Sequence, residues 1–157
     1  MQFLNGLSKI LNRFDDKVLI KKVVPLMLQT LKNEQLSVHV LPSIINLLNR
    51  ENFISKLDFE EKLWGSITEL CQAKEIPAQS LYYLIDASET FLRYVSAAEF
   101  QKYFMPLLLK AIECGVPKLQ FVAIDKVPML SKKVEYAQIK NAVFPRILHV
   151  LENSPQV

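Results

Sequence analysis

Four stretches of the chain align without a gap: LIKKVVPLMLQTL at 19–31, FEEKLWGSITELC at 59–71, FQKYFMPLLLKAI at 100–112 and IKNAVFPRILHVL at 139–151. Pro25, Gly65, Pro106 and Pro145 share one column, so the spacings are 40, 41 and 39 residues. One row reads Leu19, Phe59, Phe100, Ile139, a second Val24, Trp64, Met105, Phe144, and a third Leu31, Cys71, Ile112, Leu151. All three rows are apolar. Two others are polar: Lys21, Glu61, Lys102, Asn141, and Gln29, Glu69, Lys110, His149. A unit of this size cannot cover its own apolar face, so a chain that repeats it must stack neighbours to build a core.

Apolar residues recur at three- and four-residue spacing throughout, as in Phe3, Leu7, Ile10, Phe14 and in Leu41, Ile45, Leu48, and no segment alternates with period two. That is the stripe of an amphipathic helix. The pattern and its breakers predict eight helices, at about 2–14, 17–33, 36–50, 58–74, 78–95, 97–113, 117–134 and 136–153. Asp16, Asp58 and Ser96 are the candidate N-caps, and Gly115 is a candidate C-terminal glycine. Two helices per forty residues, with a proline held in register in the first of each pair, is the HEAT pattern. The fold class that follows is all-α, a HEAT-repeat α-solenoid of antiparallel pairs. Trp64, Cys71, Phe104, Met105 and Phe144 are expected to be buried. Residues 1–157 are expected to form a single HEAT-repeat segment, an excerpt of a longer solenoid cut inside a repeat at both ends. Phe3, Leu4, Leu7, Ile10, Leu11 and Phe14 at one end, and Ile139, Val143, Ile147, Val150 and Leu151 at the other, are then expected to drive self-association.

Much chemistry is excluded by what the chain lacks. Three glycines leave little for a phosphate loop, and neither GxGxxG nor GxxxxGK[ST] occurs. No run approaches the apolar length of a membrane span. Charge is uneven: residues 1–33 carry six Lys/Arg against two acids, 34–113 seven against eleven, and 114–157 six against three. A nucleic-acid module concentrates cations on one face, so the acidic middle argues against specific nucleic-acid binding.

No catalytic, cofactor or metal site emerges. His39 and His149 lie on wet helical rows and on different helices, short of the three or four convergent ligands a metal needs. Cys71 occupies an apolar row, and Cys114 sits at a helix end without a histidine nearby in sequence. Glu60, Glu61, Asp86, Glu89 and Glu113 alternate with lysines as a solvated surface does. Tyr83, Ala87, Thr90 and Tyr94 form a stripe that reads first as edge packing and second as a groove. The clusters Lys17/Lys21/Lys22 and Lys126/Lys132/Lys133 read first as solvated surface, with acidic partners or anionic lipid as the functional alternative. The second helices of a solenoid line its binding face, which makes Asn46, Arg50, Asp86, Glu89, Arg93, Lys126 and Lys133 the candidate partner-binding residues.

Taken in order, FLNGLSKILNRFDDKVLIKKVVPLML (3–28), HVLPSIINLL (39–48) and IKNAVFPRI (139–147) resemble the HEAT region of the SCY-like pseudokinases, closest to the branch linked to clathrin-coated vesicles. The resemblance implies a trafficking scaffold at the Golgi, endosome and coated vesicles, cytoplasmic, with coat or adaptor proteins as partners and at most peripheral membrane contact. It also implies a kinase-like domain ahead of the HEAT repeats. None of that domain's motifs occurs in this chain, neither a glycine-rich loop nor HRD nor DFG, so no ATP-related role passes to these residues. No clathrin-binding L-φ-x-φ-[DE] peptide is present either. The expectation is a non-catalytic protein–protein scaffold without cofactors. The alternatives are a generic HEAT scaffold of a transport receptor, phosphatase or translation-linked factor, and, more remotely, a HEAT-like DNA-base glycosylase, which would need a basic channel.

Overall fold

In the computed structural model, residue 6 and residues 9–153 are described, and every regular element among them is helical. Most of the predicted 2–14 helix lies outside the described residues; its last turn is seen at residues 9–11. The chain divides into two compact units, Met1–Tyr83 and Leu84–Val157, each with its own core. Residues 16–31, 34–48, 56–71 and 78–92 form helical stretches, followed by Ala97–Glu113, Pro117–Leu130 and a last stretch at 136–153.

The stops and starts have local causes. Asn33 caps Glu34–Leu48 by accepting from the backbone N–H of Gln35 and Leu36. Ser96 caps Ala97–Glu113 by accepting from Glu99 N–H, as the S-x-x-E spacing predicts. Gly115 follows the C-cap Cys114 at φ +74°, the left-handed turn for which glycine is suited. Two expected caps shift by one to three residues. The N-cap of 16–31 is Asp15, with Asp16 the first helical residue. At 56–71 the N-cap is Ser55, whose Oγ accepts from Asp58 N–H and donates to Asp58 Oδ2. Asp58 is thus the N3 residue bonded to the cap rather than the cap itself. Lys62, one turn on at 3.0 Å, and Ser55 together hold its carboxyl below the usual range.

Inside unit Met1–Tyr83, Val24–Leu31 packs on Glu34–Leu48 and on Gly65–Cys71. Inside unit Leu84–Val157, Ala97–Glu113 packs on Pro117–Leu130, on Phe144–Asn153 and on Ser88–Leu92. In both units a first helix touches the second helix of its own copy and the first helix of the next. This arrangement is consistent with an α-solenoid.

Burial follows the sequence columns. Leu19, Phe59, Phe100 and Ile139 are all at 1% exposure or less. Both polar rows are exposed in every copy. Trp64, Cys71, Phe104 and Met105 are buried as expected. Phe144 is not: it is 43% exposed, and Leu151 in the third row is 64% exposed. In the first copy the matching Val24 and Leu31 are buried, with Glu34–Leu48 packed on that helix. No second helix follows 136–153 among the described residues, which leaves this side of Phe144–Asn153 uncovered.

The proline column has a structural counterpart. Leu19–Val23, Glu60–Trp64 and Ile139–Val143 are π-helical turns that end one or two residues before Pro25, Gly65 and Pro145. Val24 and Phe144 donate their N–H groups to the carbonyls of Leu19 and Ile139, five residues back. A proline ring in an α-helix presses on the carbonyl four residues earlier, and a wider turn gives that carbonyl room. Pro106 instead sits within a continuous α-helix.

Candidate functional site

The seven candidate partner-binding residues fall into small groups. In unit Met1–Tyr83, Asn46 is exposed on Glu34–Leu48, and Arg50 follows the helix end. They line a hollow of about 300 Å³ together with Leu11, Asn12, Ser43 and Leu47. Arg50 is engaged within the unit: Nη1 donates to Asp16 Oδ1 at 2.9 Å, and Nη2 donates to Leu11 O at 3.2 Å and Asn12 Oδ1 at 2.9 Å. The guanidinium fork suits this three-way grip. It ties the end of the 34–48 helix to the bend that precedes the 16–31 helix, and it leaves Asn46 as the outward polar group of the hollow.

In unit Leu84–Val157, Asp86 and Lys126 form an ion pair at 3.8 Å. Exposed pairs of this kind contribute about 0–1 kcal/mol. Glu89 and Arg93 are exposed on the following turns, at Ser88–Leu92 and its C-cap, with Arg93 Nη2 3.5 Å from Thr90 Oγ1. Lys133 is exposed in the turn after Pro117–Leu130. Asp86, Lys126, Glu89 and Arg93 therefore give a mixed-charge surface within one unit.

The other singled-out residues lie where packing puts them. Ala87 and Thr90 are buried, Tyr83 and Tyr94 half-buried. Burial pushes the Tyr94 hydroxyl above its ordinary pKa, against a smaller opposing effect of Arg93. His149 is exposed and bonded to Asn153, whereas His39, expected on a wet face, is half-buried. Among the described residues no three His, Cys, Asp or Glu side chains cluster as metal ligands, and no helix is long and apolar enough to cross a membrane.

Cys71 is 8% exposed, and desolvation pushes its thiol from 9.0 up to about 12. A thiol whose pKa rises on folding favours the folded state below its unfolded value, and that contribution fades as pH climbs from about 9 towards about 12. The thiolate is the nucleophile, so Cys71 is inert in the fold. Cys114 is exposed, its Sγ donating to Ala111 O at 3.0 Å. Native protein treated with iodoacetamide at mildly alkaline pH is expected to gain one adduct, at Cys114, and denatured protein two, read by intact and peptide mass spectrometry. Rapid labelling of Cys71 in native protein would contradict its burial.

Two contacts have no local signal in the sequence. The Arg50 grip spans 34 to 39 residues of chain. Ser37 Oγ and Ser80 Oγ lie 2.6 Å apart, both fully buried and 43 residues apart in sequence. Ser37 Oγ also donates to Glu34 O, and the Ser80 hydroxyl finds its partner in Ser37 inside the core, where an unpaired one would be costly.

The described residues form helices packed in pairs that carry an exposed mixed-charge surface, an arrangement consistent with an α-solenoid. Over 146 residues, 93% of its length, the chain is 23% identical to SCY1-like protein 2 of Homo sapiens and, equally, of Mus musculus. It spans 15% of the length of each of these relatives. The likeness supports a SCY1-like relationship. No family model matches the chain, and no solved structure matches it.

Proposed function

We propose that this chain is a non-catalytic protein–protein interaction scaffold of HEAT type, residues 1–157 forming one repeat segment. In this reading it belongs to a SCY-like pseudokinase in vesicle traffic at the Golgi, endosome and clathrin coats. The observation that carries the reading is the similarity to SCY1-like protein 2 along 93% of a chain whose columns bury and expose in register in its first three copies. Asn46, Asp86, Glu89, Arg93, Lys126 and Lys133 are the residues offered to coat or adaptor components, with Arg50 holding the hollow beside Asn46. Affinity in such a surface comes from area and a few anchors. The uncovered side of Phe144–Asn153 is where the chain would meet another helix, including that of a second copy.

Purified adaptor components passed over immobilised chain are the test. Retention is expected, and a variant carrying Asp86→Lys, Glu89→Lys and Arg93→Glu should lose it without a change in melting temperature. Retention that survives those changes would remove this surface from the proposal. Retention of transport-receptor or phosphatase subunits in place of adaptors would favour the generic HEAT reading. Binding to a nonspecific duplex that falls steeply with salt would favour the glycosylase-like one.

A further inference from the structure

The outward face of the 16–31 helix is unlike the matching face of its sibling. Leu19, Val24, Met27, Leu28 and Leu31 turn inward and are buried. Lys17, Val18, Lys21, Lys22 and Leu26 turn outward, with Val18 40% and Leu26 64% exposed. Phe14, just before the helix, is 46% exposed. The helix holds one acid, Asp16, and Arg50 grips that carboxylate. In the second copy the columns of Val18, Lys21 and Leu26 hold Asp58, Glu61 and Ser66, while those of Lys17 and Lys22 hold Leu57 and Lys62. At three of the five outward positions the fold therefore accepts acidic or polar residues, and it does not demand the cation and the two apolar groups found there.

Three lysines with large apolar side chains set between them suit an occupant that is anionic at its surface and apolar just beneath. Lysine stems lie along apolar surface while their ammonium heads seek charge, and a basic, partly apolar helix face lying in the interface plane is how peripheral proteins hold to lipid. We propose that this face docks the protein on an anionic bilayer, Lys17, Lys21 and Lys22 against headgroup phosphates and carboxylates, Phe14, Val18 and Leu26 seated at the headgroup–acyl boundary. An acidic protein partner would meet the lysines. It would leave apolar side chains that are spread between the cations, not gathered into one pocket, without matching cover. The proposal stands apart from the adaptor-binding reading and does not depend on it.

Co-sedimentation of the chain with vesicles of phosphatidylcholine alone, and of phosphatidylcholine with phosphatidylserine, decides the matter. Binding is expected only to the serine-lipid vesicles and should weaken with salt. Lys17→Gln, Lys21→Gln and Lys22→Gln together should weaken partition about 100-fold, at about 1 kcal/mol for each cation. Val18→Ser with Leu26→Ser should abolish the binding that persists at high salt. A variant losing the same charge elsewhere, Lys74→Gln, Lys110→Gln and Lys140→Gln, should bind as the unaltered chain does. Equal weakening by both triple variants, equal binding to the two vesicle types, or no vesicle binding would each overturn the proposal. Soluble polyglutamate captured in place of vesicles would overturn it in favour of an acidic protein.

Discussion

Replacing Phe104 by alanine is expected to lower the stability of unit Leu84–Val157 by about 3–5 kcal/mol. Phe104 is 1% exposed and stands at the centre of three rings. It stacks on Phe100 with centroids 4.6 Å apart and 12° between planes, and it meets Phe91 at 5.2 Å and 41°. The truncation removes both ring contacts and leaves a void between Ser88–Leu92 and Ala97–Glu113. Rings packed this closely cannot relax to fill it. Lys102→Ala, exposed on the same helix, is the control and should change stability by about 0.5 kcal/mol at most. Urea melts of both variants, followed by far-UV circular dichroism, measure the difference. A loss at Phe104 no larger than at Lys102 would mean that the aromatic cluster does not hold this unit together.

Proline is expected to be accepted at Gly65 and rejected one turn later. Gly65 has φ −55° and ψ −46°, close to the value a pyrrolidine ring fixes. A Cβ added there meets nothing within 4 Å. The π turn Glu60–Trp64 ends immediately before it, much as in the copies that carry Pro25 and Pro145. Trp64 is α-helical at φ −59°, ψ −40°, as Val24 and Phe144 are ahead of their own prolines. Gly65→Pro should therefore change stability by less than about 1 kcal/mol, helped by the lower entropy of the unfolded chain. Glu69→Pro, at an exposed position with no core group to lose, should cost about 3 kcal/mol. Thermal melts compare the two. Equal losses would show that the column holding Gly65 is not equivalent to its proline siblings.

The columns were legible because each position meets the same surroundings in every copy. Leu19, Phe59, Phe100 and Ile139 share one fate, and the sequence alignment alone assigns it. Phe144 and Leu151 broke from their rows because burial belongs to the neighbour as much as to the residue, and the neighbour that covers Val24 and Leu31 has no counterpart beside Phe144–Asn153 among the described residues. The expected caps moved because aspartate is also favoured within the first helical turn, where Asp16 stands first and Asp58 third, and only backbone geometry separates a cap from those positions. The π turns had no signature beyond the proline column, and Pro106 shows that proline alone does not produce one. Of the residues proposed for the candidate site, the exposure of Asn46, Asp86, Glu89, Arg93 and Lys133 was readable from helical spacing. The engagement of Arg50 by Asp16, Asn12 and Leu11 was not, since no local pattern links residues so far apart.

The wide turns also bear on how such a chain can change length over evolutionary time. In an α-helix one inserted residue rotates everything after it by about 100°, which would carry Val24 and Leu31 away from the core while Leu19 stayed. A turn closed five residues back already accommodates a surplus residue within an otherwise regular helix. Leu19–Val23, Glu60–Trp64 and Ile139–Val143 lie between the inner column that begins each first helix and the columns that follow the proline position. A residue gained or lost there can be taken up locally while the apolar positions on both sides keep their facing. The four first helices align without a gap across this stretch, so the spacings of 40, 41 and 39 between copies arise outside it, and the wide turns are where a single-residue change within a first helix should be most readily inherited.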